Sequence, residues 1–362
     1  MWGCAAVAQT GGTGTYLIHD LKSIDEWPDV SADMFKTEIV RRQRPAVLRQ
    51  VARDWPLVRK GLQSPEAAAD YLDGFYNGKP VQTITAPPDT RGRLFYHSNT
   101  RGVNHKVSAE RLSHVLKGIL KQMEVPEPWA IAMQGITAAE HLPGIEENQP
   151  MDLVPSGTPS RLWIGNSVTV APHFDVFDNV ACVVAGRRRF ILFPPEQLPN
   201  LYVGPFDVTP AGVPISMVPL DDPDLDRFPR YREALAAAQV AMLEPGDAIF
   251  IPYMWWHGVQ SLDRFNILVN YWWNEDPATA ALPYAAFLHA AYVLHRDMPP
   301  EHRQVWRHMY DYYVFGTGGE PMEHLPPAQR GDYPPINRDS ILAVTTGLGA
   351  LLDNRGGGRD VD

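Results

Sequence analysis

The sequence predicts a mainly β protein with flanking helices, its centre a two-sheet sandwich or jelly roll. Three observations carry this. From residue 161 the chain becomes a series of short runs rich in β-branched and aromatic residues, "RLWIGNSVTV", "NVACVVAG", "RRFILFPP", "AQVAMLEPGDAIFIP" and "FNILVNYWW". Turn residues break these runs, most plainly the "EPGD" of Glu244 to Asp247. Little helical periodicity interrupts the block, the pattern of two short-stranded sheets packed together.

Taken in order, residues 1–15 read as a flexible lead and residues 16–150 as an α+β region packing on the β core. In it, "SADMFKTEIVRR" places Phe35, Ile39 and Val40 on one helical face, and "PAVLRQV" follows as a short strand. "SPEAAADYLDGF" is a helix with Ser64 at its N-cap, Pro65 in its first turn and Gly74 at its end. "PVQTITA" and "RLFYHS" read as strands, and "VSAERLSHVLKGIL" as a further helix. Residues 151–276 form the jelly-roll core, interrupted by the insertion "DPDLDRFPRYREALAA", which ends in a short helix. Residues 277–346 are helical again, in "PYAAFLHAAYVLH" and "PPEHRQVWRHMYDYYVFG", and 347–362 reads as a disordered tail.

Composition narrows the function classes. The chain has 362 residues, 44% of them hydrophobic and 20% charged, as expected for a soluble globular protein of one large domain or two. A net charge of -10 argues against general affinity for nucleic acid or anionic membrane. The basic runs "RRQR" and "RRR" have no stacking aromatics interleaved with them. Two cysteines, Cys4 and Cys182, imply no disulfide framework and suit a reducing compartment. The start lacks the pattern of a signal peptide, and no apolar run nears the roughly 20 residues of a membrane span. The expected location is cytoplasmic.

The chemistry concentrates in two segments. In "VAPHFDVFDN", His173 and Asp175 are alternate residues at a strand end, so both point to one face. In "IPYMWWHGVQ", His257 follows a proline and two tryptophans, where a strand can deliver a third ligand. Two imidazoles and one carboxylate on one side of an ion leave its other side open, the arrangement suited to non-haem Fe(II). Read singly, an HxD tripeptide is common, and a histidine among tryptophans is more often a core residue. The joint context of two strand-like segments within the β-rich block favours the metal.

Together, "APHFDVFDNVACVVAGRRRFILFPPEQLPNLY" and "EPGDAIFIPYMWWHGVQSLDRFNILVNYWW" resemble the JmjC/cupin-like Fe(II)- and 2-oxoglutarate-dependent oxygenases. The likeness is greatest to their asparaginyl-hydroxylase-like branch, which includes bacterial cupin-like proteins. It runs over residues 161–273 and, more loosely, through "RPAVLRQVARDWP". The resemblance implies a double-stranded β-helix core with iron on His173, Asp175 and His257. It also implies 2-oxoglutarate bound to that iron, its far carboxylate held by Arg188, where the asparaginyl hydroxylases commonly have lysine. Strand parity sets Arg188 opposite Arg187 and Arg189. Asn179 and Asn270 match polar positions of the co-substrate pocket, and each also suits a satisfied core or turn amide.

Two departures stand out. The family's threonine three residues before the first ligand is Val170 here, and Thr169 faces the other way on a regular strand. The assisting tyrosine of the asparaginyl hydroxylases has no counterpart in "WAIAMQGI". The implied activity is hydroxylation of a protein or peptide side chain, or of a small metabolite, coupled to decarboxylation of 2-oxoglutarate to succinate and CO2. The alternatives are a metal-binding cupin enzyme that does not use 2-oxoglutarate and a non-catalytic binding module of the same fold. The C-terminal helices match the dimerisation element of the asparaginyl hydroxylases in position. Phe287, Leu288, Ala291, Tyr292 and Leu294 then offer an apolar surface for a homodimer.

Overall fold

The computed structural model describes residues 21–97, 102–206, 209–274, 282–295, 298–319 and 323–326. The expected flexible lead, 1–15, and tail, 347–362, lie outside these residues. The chain divides into two compact units, 1–281 and 282–362.

Among the described residues, unit 1 carries every strand. The N-terminal region supplies β1 (Lys22–Ser23), β2 (Glu26–Trp27), β3 (Ala46–Leu48), β4 (Val81–Ala86), β5 (Arg93–Leu94), β6 (Lys106–Glu110) and β7 (Ala130–Thr137). The jelly-roll strands follow as β8 (Ser160–Gly165), β9 (Thr169–His173), β10 (Asp178–Ala185) and β11 (Arg188–Phe193). After the insertion come β12 (Gln239–Leu243), β13 (Ala248–Ile251), β14 (Trp256–Ser261) and β15 (Asn266–Trp273). They form a six-stranded sheet ordered β1-β12-β11-β14-β9-β5 and a nine-stranded sheet ordered β2-β3-β13-β10-β15-β8-β7-β4-β6. The chain crosses between sheets as it goes from β8 to β15, as a jelly roll requires.

Burial explains why the central strands read as continuous apolar runs. Along β10, Ala181 and Val183 join Phe190, Leu192, Ile249 and Leu268 in the core between the sheets. The alternate residues Val180, Cys182 and Val184 pack with Phe35, Leu57, Leu72 and Ile119 of the N-terminal helices, in the core on the sheet's other face. Gly61 lets the helix Pro56–Gln63 lie against this face: a Cβ there would stand 2.6 Å from the Val184 carbonyl oxygen.

Local signals hold where they are strongest. Ser64 caps Pro65–Asp73 by accepting a hydrogen bond from the Ala67 N–H at 3.1 Å. The insertion ends in the expected helix, Tyr231–Ala237. Three expectations need correction. "VSAE" is the edge strand β6, paired with β4, and the helix begins only at Leu112, because sheet pairing overrides local helical preference. "RLWIGNSVTV" is two strands in opposite sheets, broken where Asn166 turns the chain and exchanges hydrogen bonds with the Ile131 N–H and the Trp129 carbonyl. The first helix is α-helical only over Ala32–Met34, then π-helical over Phe35–Ile39, which buries Phe35 and Ile39 together.

In unit 2, the helix Leu282–Ala290 runs into a π-helical turn, Ala291–His295, and Pro300–Tyr313 is a second helix. No helix among the described residues is long and apolar enough to cross a membrane.

Candidate metal centre

His173 ends β9, and His257, the second residue of β14, is its direct cross-strand partner. Asp175 lies just past the strand end. Its backbone carbonyl accepts the N–H of Met254, and the Asp178 carboxylate accepts the N–H of Tyr253. These two bonds tie the loop after β9 and the start of β10 to the turn before β14. Met254 takes a left-handed conformation there (φ 61°), reversing the chain so that Trp255 and Trp256 are buried and His257 faces inward.

The two imidazoles are oriented identically. Nδ1 of His173 meets the Ala171 carbonyl at 3.0 Å, and Nδ1 of His257 meets the Trp255 carbonyl at 3.0 Å. A carbonyl partner calls for the proton on Nδ1, so that on metal binding each Nε2 can turn its lone pair to the ion. The ring centroids are 4.4 Å apart, and Nε2 of His257 lies 3.4 Å from Oδ2 of Asp175. One donor atom from each of the three residues falls within 4.8 Å of the others, the sole such group among the described residues. Burial, reinforced by His257, pushes the His173 imidazole down to about 4. Burial alone would raise the Asp175 carboxyl, but His257, His173 and the nearby indole of Trp272 together hold it below its ordinary value. At neutral pH His173 is therefore neutral and Asp175 ionised, the protonation state a divalent metal requires.

These residues open onto a cavity between the two sheets. Its space is about 690 Å³ counting the open mouth. Arg188, Asn179, Asn270 and Val170 all line it, as do Gln134, Trp163, Leu268 and Trp272. Arg188 is 7% exposed; its Nη2 donates to the Trp163 carbonyl at 3.2 Å, and its Nε has no partner. No carboxylate among the described residues neutralises it, and burial lowers its guanidinium to about 9. Arg187 instead pairs with Asp263 outside, and Arg189 meets Gln260, so strand parity sorts the three arginines as expected.

Asn270 and Asn179 form one chain: the Trp163 indole donates to Asn270 Oδ1 at 2.7 Å, and Asn270 Nδ2 donates to Asn179 Oδ1 at 3.2 Å. The position expected of a threonine hydroxyl is the apolar wall of Val170. Of the four tryptophans near the motifs, only Trp272 lines the cavity. Trp255 belongs to the inter-sheet core, Trp256 packs on Phe174, and Trp273 stacks on Phe250.

Gln134 and Trp163 are cavity residues that sequence reasoning did not single out. The signal for Gln134 was present as a polar residue followed by glycine inside the apolar run "AIAMQGI", a pattern that marks a bulge.

A family model described as a cupin-like domain matches residues 31–279. The chain belongs to the cupin-like domain family. Among relatives of this cupin-like protein is an Arabidopsis thaliana protein named lysine-specific demethylase JMJ31, 38% identical over 117 residues, or 32% of this chain and 21% of that one. Human HSPB1-associated protein 1 is 39% identical over 119 residues, covering 32% of this chain and 24% of its own. The chain thus spans less than a quarter of either. A Danio rerio protein named tRNA wybutosine-synthesizing protein 5 is 26% identical over 318 residues, covering 77% of this chain and 88% of its own.

Proposed function

We propose that this cupin-like protein is an Fe(II)- and 2-oxoglutarate-dependent oxygenase that hydroxylates a protein or peptide side chain, or a small metabolite. One observation carries the reading: a preformed His173–Asp175–His257 donor group shares a cavity with a buried guanidinium that has no acidic partner. An unpaired buried charge is costly unless a ligand neutralises it, and a 2-oxo dicarboxylate spans the two features, its oxo-acid end on metal and its far carboxylate on arginine. The relatives' names, a lysine-specific demethylase and a tRNA wybutosine-synthesizing protein, fit an enzyme of this kind.

Bound iron would supply the activation of O2 that couples decarboxylation of 2-oxoglutarate, to succinate and CO2, with oxidation of the substrate. The chain's own residues do the rest. His173, Asp175 and His257 hold the metal on one side, and the carbonyl bonds to each Nδ1 fix their aim. Arg188 fixes the far carboxylate, Asn179 and Asn270 present amides to the cavity, and Val170, Leu268 and Trp272 exclude water from its walls. We further propose a homodimer through the C-terminal helices.

Anaerobic absorption titration of the purified protein with Fe(II), then 2-oxoglutarate, tests this. A metal-to-ligand charge-transfer band that requires both additions, and is lost in His173→Ala, is the expected result. Iron binding without a band would move the reading to a cupin enzyme that does not use 2-oxoglutarate, or to a binding module without turnover.

A further inference from the structure

The pocket that would receive the far carboxylate lacks two expected hydroxyls, since Val170 stands at one position and "WAIAMQGI" offers no tyrosine at the other. The geometry points to Gln134 as the compensating donor: its carboxamide and the Arg188 guanidinium together seat the far carboxylate of the co-substrate. This rests on the 2-oxoglutarate reading above and adds a residue to it.

Three observations converge. In β7, Met133 pairs with Ile164 of β8 and Ile136 pairs with Leu162, so Gln134 and Gly135 together stand opposite Trp163. That two-against-one count is a β-bulge, a device that re-aims a side chain beside a site. Gly135 accommodates it with a left-handed φ of 62°. Met133 and Ile136 stay in the outer core on either side of the bulge, and Gln134 is released into the wall of the metal cavity.

The second observation is where Arg188 reaches. Its strand, β11, is in the opposite sheet, yet its Nη2 donates to the Trp163 carbonyl. The guanidinium therefore ends beside the residue that Gln134 opposes. Arg188 from one sheet and Gln134 from the other are thus both placed against Trp163, and all three line the cavity.

The third is availability. The indole of Trp163 is committed to Asn270, and Asn270 to Asn179. Both metal-site imidazoles use Nδ1 on carbonyls. The Gln134 carboxamide makes no hydrogen bond among the described residues. Gln134 also borders an outer groove with Thr137, Glu140 and His141, which leaves it half-buried at the partition between the two spaces. A neutral N–H donor at that point can complete a carboxylate's coordination without adding a second charge.

The test is the same charge-transfer titration, run on wild type, Gln134→Ala and Gln134→Glu, with iron affinity and melting temperature measured alongside. Loss of a hydrogen bond to a charged group should raise the 2-oxoglutarate Kd of Gln134→Ala by about ten-fold or more, iron affinity being unchanged. Gln134→Glu keeps the shape and sets a negative charge against the carboxylate, so it should bind more weakly than the alanine variant. A wild-type band that both variants reproduce at the same Kd would overturn the role of Gln134 alone. Loss of iron binding or of the fold in both variants would make it a structural residue and overturn the role as well. No band in the wild type would remove the 2-oxoglutarate reading and this inference with it.

Discussion

Arg188 shows how a single residue links stability to function. Below about pH 9 it is charged in the folded and the unfolded chain alike, and the folded state bears the whole desolvation cost. As pH rises through 9, the native state sheds its proton first, so this cost shrinks and the residue's contribution to stability improves. Arg188→Met should therefore raise the melting temperature at pH 7 by several degrees, since relieving an uncompensated buried charge is worth on the order of a few kcal/mol. The gain should narrow above pH 9. Adding 2-oxoglutarate to the iron-loaded protein should stabilise the wild type further and leave the iron-loaded variant nearly unchanged, because ligand stabilisation requires binding. Calorimetry across pH checks all three. A variant that melts well below wild type at pH 7 would mean that the bond to the Trp163 carbonyl outweighs desolvation.

At the scale of elements, the "EPGD" turn joins β12 to β13 and also anchors the N-terminal region. The Asp247 carboxylate, only 3% exposed, accepts from Arg49 Nη1, from the backbone and side-chain N–H groups of Gln50, and from the Glu244 N–H. Arg49 follows β3, so this one carboxylate holds β3 against β13 in the nine-stranded sheet. Asp247→Ala should cost about 2–3 kcal/mol in urea unfolding, because it strands several donors at once. A loss below about 0.5 kcal/mol would show that the β3–β13 pairing stands without it.

What was legible in the sequence follows the same division between local and distant causes. Ser64, Pro65 and Gly74 announced a helix because the capping bond closes within three residues. His173, Asp175 and His257 were legible as ligand types at strand-like positions, and pairing of β9 with β14 then brought them together. The strand β6 was not legible, since its five residues are set by pairing with β4 and only one of them is shielded even in part. Gln134 was missed because period-2 parity fails at a bulge, and the register that shows the bulge involves a strand nearly thirty residues away.

At the scale of the whole chain, unit 2 poses a problem of burial. The helix Pro300–Tyr313 buries none of its residues and leaves Val305, Trp306 and Met309 exposed, 63%, 42% and 45%, on neighbouring turns of one face. A short helix gains most of its stability from packing an apolar stripe, so this surface calls for a cover. A second copy of the same helix satisfies it economically: in a two-fold interface the stripe meets itself, and residues such as Arg307 and Asp311, already paired within the helix, stay at the rim. The self-association expected from Phe287 and Tyr292 then draws mainly on Trp306 and Met309. Light scattering after size exclusion should give a mass of twice 40.5 kDa for the full chain. Trp306→Glu with Met309→Glu should return it to a single chain while the metal-site absorption persists, because unit 1 carries all three ligands. A wild type that runs as a monomer at all concentrations would remove the homodimer, and the apolar stripe would then need a different partner.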